Sequence, residues 1–425
     1  MLPLLLSWAI FAHSPAIQEP PKAREQKSLA LEFLSLDHRT ADDWKRQKGI
    51  LLRLQGIPLP KTSQVNKWLK AVQREIRKGR KILFKDNRQY WWPEKKRGLY
   101  MIGGETKNPK GLLIGMHGGG VGSGNCQSSF QAMDGAAKEL GWAAIFPEVL
   151  KKTERGWTDS GTEEWVMELM DAALRTWKIS PDRVYLAGHS MGGYGSWVLG
   201  AHHADRLAGA APSAGAPTPV YGENGKIIDF VEGVIPNLRN LALRIYQSTD
   251  DPQVPADANQ AAVERVKFAQ KKWGGYDMDY WEVDNQAHGL PPGGMLALIK
   301  KLQNIERKAL PEKIIWQPTL SWKRQFYWLL WEQPKMNTTV EANWDKETHT
   351  FSIDCQQGAD DIQVLLNSAM TDFKTEITLM VNGRRLWKGI PVPDLATALF
   401  TAAKEDVGRF YTAVIPPRSP SAKVK

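Results

Sequence analysis

The sequence predicts an α/β chain, with a mostly parallel sheet covered by helices on both faces and, after it, an all-β, sandwich-like domain. Three observations carry this. From about residue 98 to residue 310, short apolar strand runs alternate with helical stretches, the pattern of a parallel sheet buried on both sides. After Pro311 the texture shifts to short alternating runs divided by turn residues, as in a β-sandwich. The composition is that of a folded chain, with 42% hydrophobic and 24% charged residues among 425, which excludes collagen-like and wholly disordered proteins.

At the N-terminus, Leu2–Ala12 is an apolar run too short to span a bilayer. With the small residues Ser14 and Ala16 behind it, residues 1–16 read as a signal peptide, which predicts a secreted or periplasmic protein. No later stretch reaches spanning length without charges, so no membrane span is expected. A helical segment is placed at 17–90. Its first helical stretch runs from about Ser28 to Gln55 with a break near Gly49. Its second runs from about Gln64 to Arg80, where Val65, Trp68, Leu69, Val72 and Ile76 share one face. The opposite face is basic, and the whole chain carries a net charge of +10. No base-stacking or groove-reading element accompanies that face, so it is read as solvated and no nucleic-acid partner is expected.

The α/β domain is placed at 91–311. Its strands are Gly111–Met116, Trp142–Phe146, Val184–Ala187, Leu241–Gln247 and Met278–Val283, with an amphipathic helix over Glu163–Trp177. The β domain is placed at 312–417, with strands over Gln325–Trp331, Thr338–Trp344, Thr348–Asp354, Ile362–Asn367, Glu376–Val381, Arg384–Ile390 and Arg409–Ile415. Asn382-Gly383 is a two-residue hairpin signal, Pro393–Asp406 a helix-like insert, and residues 418–425 a disordered tail.

Chemistry concentrates in Gly188-His189-Ser190-Met191-Gly192, a G-x-S-x-G that follows a strand and opens a helix. That context makes it a nucleophile elbow, which holds a serine exposed at the top of a sheet. A serine hydroxyl needs a base, and the base needs an orienting acid. In this architecture the chain order is serine, acid, histidine. Of the eight histidines, His202 and His203 sit on the elbow's own helix and cannot fold back, which leaves His288, in the loop after Met278–Val283. The acid belongs after Leu241–Gln247, where both Asp250 and Asp251 stand. The oxyanion needs backbone donors. These are expected from Met191, the residue after the serine, and from Gly118 and Gly119 of His117-Gly118-Gly119-Gly120, with His117 bracing that loop. The same glycines fit neither a dinucleotide nor a P-loop pattern. Only two cysteines are present, and His202-His203 lacks metal-ligand spacing, so neither a metal nor a cofactor is expected.

With these parts in order, the middle half of the chain resembles the α/β-hydrolase superfamily. Within it the chain is similar to exported bacterial serine esterases, the dienelactone-hydrolase, feruloyl-esterase and polyhydroxybutyrate-depolymerase-like groups, and to prolyl oligopeptidase catalytic domains. The residues that carry the likeness are Gly156-Trp157, Arg175-Thr176-Trp177-Lys178-Ile179, Pro181-Asp182-Arg183-Val184-Tyr185 and Gly188–Gly193. Many members carry D-x-x-V-P at the acid loop; Asp251-Pro252-Gln253-Val254-Pro255 matches it, and the resemblance therefore favours Asp251 over Asp250. It implies hydrolysis of a small or polymeric carboxylic ester through an acyl-enzyme on Ser190. The missing upstream propeller departs from prolyl oligopeptidases, whose peptidase activity is the alternative. A glycan-binding protein without catalysis is the alternative of another class. Trp157 is expected to line the acyl pocket, and Ala216–Asn240 to form a lid or rim.

Overall fold

The structure is a computed structural model that describes residues 20–37, 39–59, 74, 81–82, 88–91, 96–402 and 410–415. The expected signal peptide, almost all of the helix Gln64–Arg80 and the tail 418–425 lie outside the described residues. The chain divides into two compact units, Gly79–Ala309 and the remainder on either side of it. Among the described residues no helix is long and apolar enough to cross a membrane.

Among the described residues of Gly79–Ala309 the main sheet has eight strands: β1 (Arg88–Tyr90), β2 (Leu99–Gly104), β3 (Leu112–Met116), β4 (Ala143–Pro147), β5 (Val184–His189), β6 (Gly209–Ser213) and, after a small separate hairpin of β7 (Pro219–Tyr221) with β8 (Ile227–Phe230), β9 (Ala242–Ser248) and β10 (Met278–Val283). Their order is β1-β2-β4-β3-β5-β6-β9-β10. From β4 through β10 every pair is parallel, while β2 joins β4 and β1 joins β2 antiparallel. The apolar runs of β3, β4 and β5 are buried along their length, as strands covered on both faces must be.

Alternation assigns the faces. Leu113, Phe146, Tyr185, Ala187 and Ala211 pack with Met133, Ala137 and Leu140 of the helix Cys126–Leu140 and Leu298 of the helix Gly294–Ile299. Residues of the opposite parity on the same strands, Met116 and Ala210, instead meet the helix Met191–His202, at Gly195 and Gly200. From β3 the chain steps outward to β4 and then crosses back to β5, so the strand order reverses between β3 and β5. Sites in open α/β sheets form outside the carboxyl ends of the strands at such a reversal.

The helix that follows β5 is locked from behind. Glu163, in the first turn of the helix Thr162–Trp177, is buried, and His202 Nδ1 and His203 Nε2 each lie 2.9 Å from its Oε1. Burial pushes the Glu163 carboxyl up, but the two imidazoles win and hold it below its ordinary value of 4.5. A carboxylate with a depressed folded pKa stabilises the fold above its unfolded value, and that contribution disappears as pH falls. Glu163→Gln is therefore expected to cost about 3 kcal/mol at pH 7. In thermal melts the gap to wild type is expected to narrow as pH falls below that ordinary value of 4.5. Equal melting points at pH 7 would refute this.

β6 is a strand that its sequence, Gly-Ala-Ala-Pro-Ser, hides. Proline is rare in central strands because it cannot donate to the ladder. Here the β6–β9 pairing runs through Gly209 and Ala210, lapses at Ala211–Pro212 and resumes at Ser213, so the missing donor falls in the gap.

The second unit contains the helices Ala23–Ser35 and Ala41–Leu54, which share a core with the helix Leu395–Ala402 through Leu29, Phe33, Trp44, Leu51, Leu54, Leu395 and Leu399. The first helical stretch breaks at Leu36–Thr40 and not near Gly49, which lies inside the second helix. Thr40 sets the new start by capping Asp43 N–H, and a lone glycine within a helix costs only about 1 kcal/mol. The remaining strands form one five-stranded and one four-stranded sheet. Asn382 and Gly383 both take positive φ, as a two-residue hairpin turn requires. Gln325–Trp331 is not one strand: Tyr327 adopts φ 50° and the run folds into an antiparallel pair.

Candidate active site

Ser190 closes β5 at φ 60° and ψ −124°, a conformation that non-glycine residues rarely adopt. Its N–H donates to Ser213 O at 2.9 Å, and its carbonyl accepts from Tyr194 N–H at 3.0 Å, which starts the helix. The turn is tight enough to demand glycine at its closest approach: a Cβ on Gly192 would lie 2.2 Å from the Met116 carbonyl oxygen. The result is the strained strand–turn–helix that the G-x-S-x-G implies.

Asp251 and His288 follow β9 and β10, neighbouring parallel strands of the same sheet. His288 Nδ1 lies 2.7 Å from Asp251 Oδ2, and the Asp251 side chain is fully buried. Oδ1 of Asp251 accepts the N–H groups of Gln253 and Val254 at 2.8 and 2.9 Å, so the loop wraps its own carboxylate. Behind it Gln247 donates to Val254 O and accepts from Asn259, which in turn accepts from Trp197 Nε1. A carboxylate can only accept, so Nδ1 carries the proton and a neutral His288 presents the lone pair of Nε2, the tautomer a general base needs. Asp250 stands outside this pair. Its carboxylate accepts from Ser248 Oγ and from Ala287 N–H, and so braces the histidine loop.

Ser190 Oγ makes no hydrogen bond among the described residues. The structure brings His288 beside the elbow, where its ring lies 4.8 Å from that of His189, and leaves the link from Nε2 to the hydroxyl unclosed. Links of this kind tighten when substrate binds.

The loop after β3 lies against the same serine. A Cβ on Gly118 would stand 3.1 Å from Ser190 Cβ and 3.7 Å from Oγ. Gly119, at φ 139°, turns onto Ser123 and Gly124. Among the described residues no acceptor takes the amides of Gly118, Gly119 or Met191, and Met191 opens the helix whose N-terminal end favours negative charge. His117 holds the loop: Nδ1–H donates to Gly118 O at 2.8 Å and Nε2 accepts Val149 N–H at 3.2 Å. Both contacts suit a neutral ring, and burial lowers its pKa.

Trp157 is a correction. It is fully buried, donates Nε1–H to His117 O at 3.2 Å and packs against the His117 ring, so it supports the loop from within and presents no surface to an acyl group. The segment Ala216–Asn240 holds the β7–β8 hairpin and leaves the sheet beside Ser190, since a Cβ on Gly215 would lie 2.1 Å from Ser190 O. Two contributors escaped the sequence reading. His189 fills the variable place of the motif, and Ser213 lies in the strand that its composition conceals; their side chains meet at 2.9 Å.

No family model matches the chain. Part of it is 27% identical, over 146 residues, to a bifunctional acetylxylan esterase/xylanase of Neocallimastix patriciarum; the match takes in 30% of this chain and 22% of that protein. Among solved structures, a thermostable esterase is similar at 17% identity and a TM-score of 0.39, covering 52% of this chain and 64% of its own. A CE1 ferulic acid esterase from Anaeromyces mucronatus is similar at 15% identity and a TM-score of 0.37, covering 51% and 88%. The chain thus spans about a fifth of the curated relative and less than two thirds of the thermostable esterase. On its own strand order, its helices on both faces and the strained serine between β5 and the following helix, Gly79–Ala309 has the α/β-hydrolase fold.

Proposed function

We propose that this chain is a serine hydrolase of carboxylic esters. The observation that carries the reading is the buried Asp251–His288 pair at 2.7 Å beside a serine held at φ 60° on a strand–turn–helix. Ser190 Oγ attacks the ester carbonyl while His288 Nε2 takes its proton, and Asp251 keeps the imidazole oriented and compensates its charge. The amides of Met191 and Gly118, with Gly119 at the loop's turn, receive the oxyanion. His288 returns the proton to the departing alkoxide, which leaves an acyl-enzyme. Water activated by the same imidazole then releases the acid.

The likeness to an acetylxylan esterase supports an acetylated xylan as the substrate class. The segment that holds the β7–β8 hairpin starts at Gly215 against Ser190 and is read as the rim such a substrate passes. Export through residues 1–16 fits an insoluble substrate outside the cell. A fluorophosphonate probe on the full chain tests the reading: one adduct, mapped by mass spectrometry to Ser190, is expected, together with release of acetate from acetylated xylan. An intact, unlabelled protein would overturn the mechanism, and labelling without acetate release would overturn only the substrate.

A further inference from the structure

We propose that His189 is a positioning residue that holds the His288 loop in register with the nucleophile by donating its Nε2–H to the His288 carbonyl oxygen. The inference rests on the serine-hydrolase reading and adds a part to it.

His189 Nε2 lies 3.2 Å from His288 O. A carbonyl only accepts, so this nitrogen bears the proton and Nδ1 of the neutral ring must accept. Its partner is the hydroxyl of Ser213 at 2.9 Å. Ser213 is fully buried, and its own carbonyl receives the Ser190 N–H. The tautomer of His189 is thus set by a residue already bound to the elbow.

The loop needs such a hold. Asn285 and Ala287 both take positive φ, 62° and 45°, immediately before His288. For residues with a side chain this stores strain, which persists only where the surroundings over-determine the conformation. Gln286 N–H donates to Ser248 Oγ and Ala287 N–H to Asp250, while Tyr246 Oη donates to Leu290 O. All three contacts tie the loop to β9 and the turn after it, the element that carries Asp251. Among the described residues, the His189 contact is the one hydrogen bond between this loop and the elbow that carries Ser190. Asp251 therefore orients the imidazole, and His189 places its backbone against the serine.

The chemistry suits this role. The two rings lie 4.8 Å apart, and His288 becomes a cation during acyl transfer. Burial, and then the neighbouring His288, hold the His189 ring down to about 4, so at neutral pH it adds no opposing charge.

The test uses the full chain and p-nitrophenyl acetate, with fluorophosphonate labelling and a thermal melt run in parallel. His189→Phe fills the space and cannot donate. It is expected to lower kcat about 100-fold with KM unchanged, and to slow labelling in proportion. His189→Gln, whose amide can reach the same carbonyl, is expected to return to within about tenfold of wild type. A folded phenylalanine variant with wild-type kcat overturns the inference, as does a glutamine variant no faster than it. If the phenylalanine variant does not fold, Ser213→Ala decides: loss of the hydroxyl that sets the tautomer is expected to cost about tenfold in kcat, and an unchanged kcat overturns the proposal. A wild-type chain that is itself inert to the probe would remove the serine reading and this inference together, a result distinct from any behaviour of the variants.

Discussion

Ser190→Ala is expected to lower kcat on p-nitrophenyl acetate by about 10⁶-fold while leaving the fold intact. The substitution keeps Cβ and removes only a hydroxyl that makes no hydrogen bond among the described residues, so alanine leaves no buried group unpaired. The strained backbone is retained, since Ser190 N–H and O are held by Ser213 and Tyr194 whatever the side chain. Residual turnover above the uncatalysed rate is expected from the oxyanion amides alone. A variant with wild-type turnover would mean that the chemistry lies elsewhere. Circular dichroism and the melting point, both expected to match wild type, separate lost chemistry from lost structure.

The second large effect is expected at Asp251, and its value lies in the contrast with its neighbour. Asp251→Asn keeps the size of the side chain but leaves an amide where a carboxylate accepted His288 Nδ1–H and two backbone N–H groups. The imidazole then loses the partner that fixes its tautomer, and kcat is expected to fall about 10⁴-fold. Asp250→Asn retains an oxygen for Ala287 N–H and touches no ring, so a loss of about tenfold or less is expected. Steady-state kinetics of the two variants side by side check the assignment. Equal losses, or a larger one at Asp250, would reverse it.

The contrast also shows how far the sequence could be read. Asp250 and Asp251 are adjacent carboxylates in one turn, and no property of the turn alone separates them; a family resemblance favoured the second. In the structure burial separates them, because Asp251 faces the histidine with its side chain wholly covered while Asp250 braces the loop from outside. His288 was reached by elimination, from the serine–acid–histidine order and the few histidines downstream of Ser190, and the structure pairs it with Asp251. Trp157 failed for the opposite reason: a tryptophan beside a glycine-rich loop reads equally as pocket wall or as core, and only its contact with His117 decides. β6 was illegible because small residues and a proline carry no strand signal, although the lapse in its ladder accommodates that proline. The N-terminal helices were readable one by one, but their shared core with Leu395 and Leu399 joins residues more than 300 positions apart, beyond any local periodicity.

What this sequence determined by itself is local: where strands and helices alternate, which serine sits on a sharp turn, and which glycines lie where backbone meets backbone. These follow from side-chain period and from the conformations that glycine alone permits. The tertiary structure decided convergence. Ser190, Asp251 and His288 come from three strand ends, and which ring nitrogen of His189 and of His288 donates is set by partners that the sheet brings from elsewhere in the chain. A hydrogen bond across dozens of residues leaves no mark in the spacing of either partner, so those choices become visible only when the sheet is assembled.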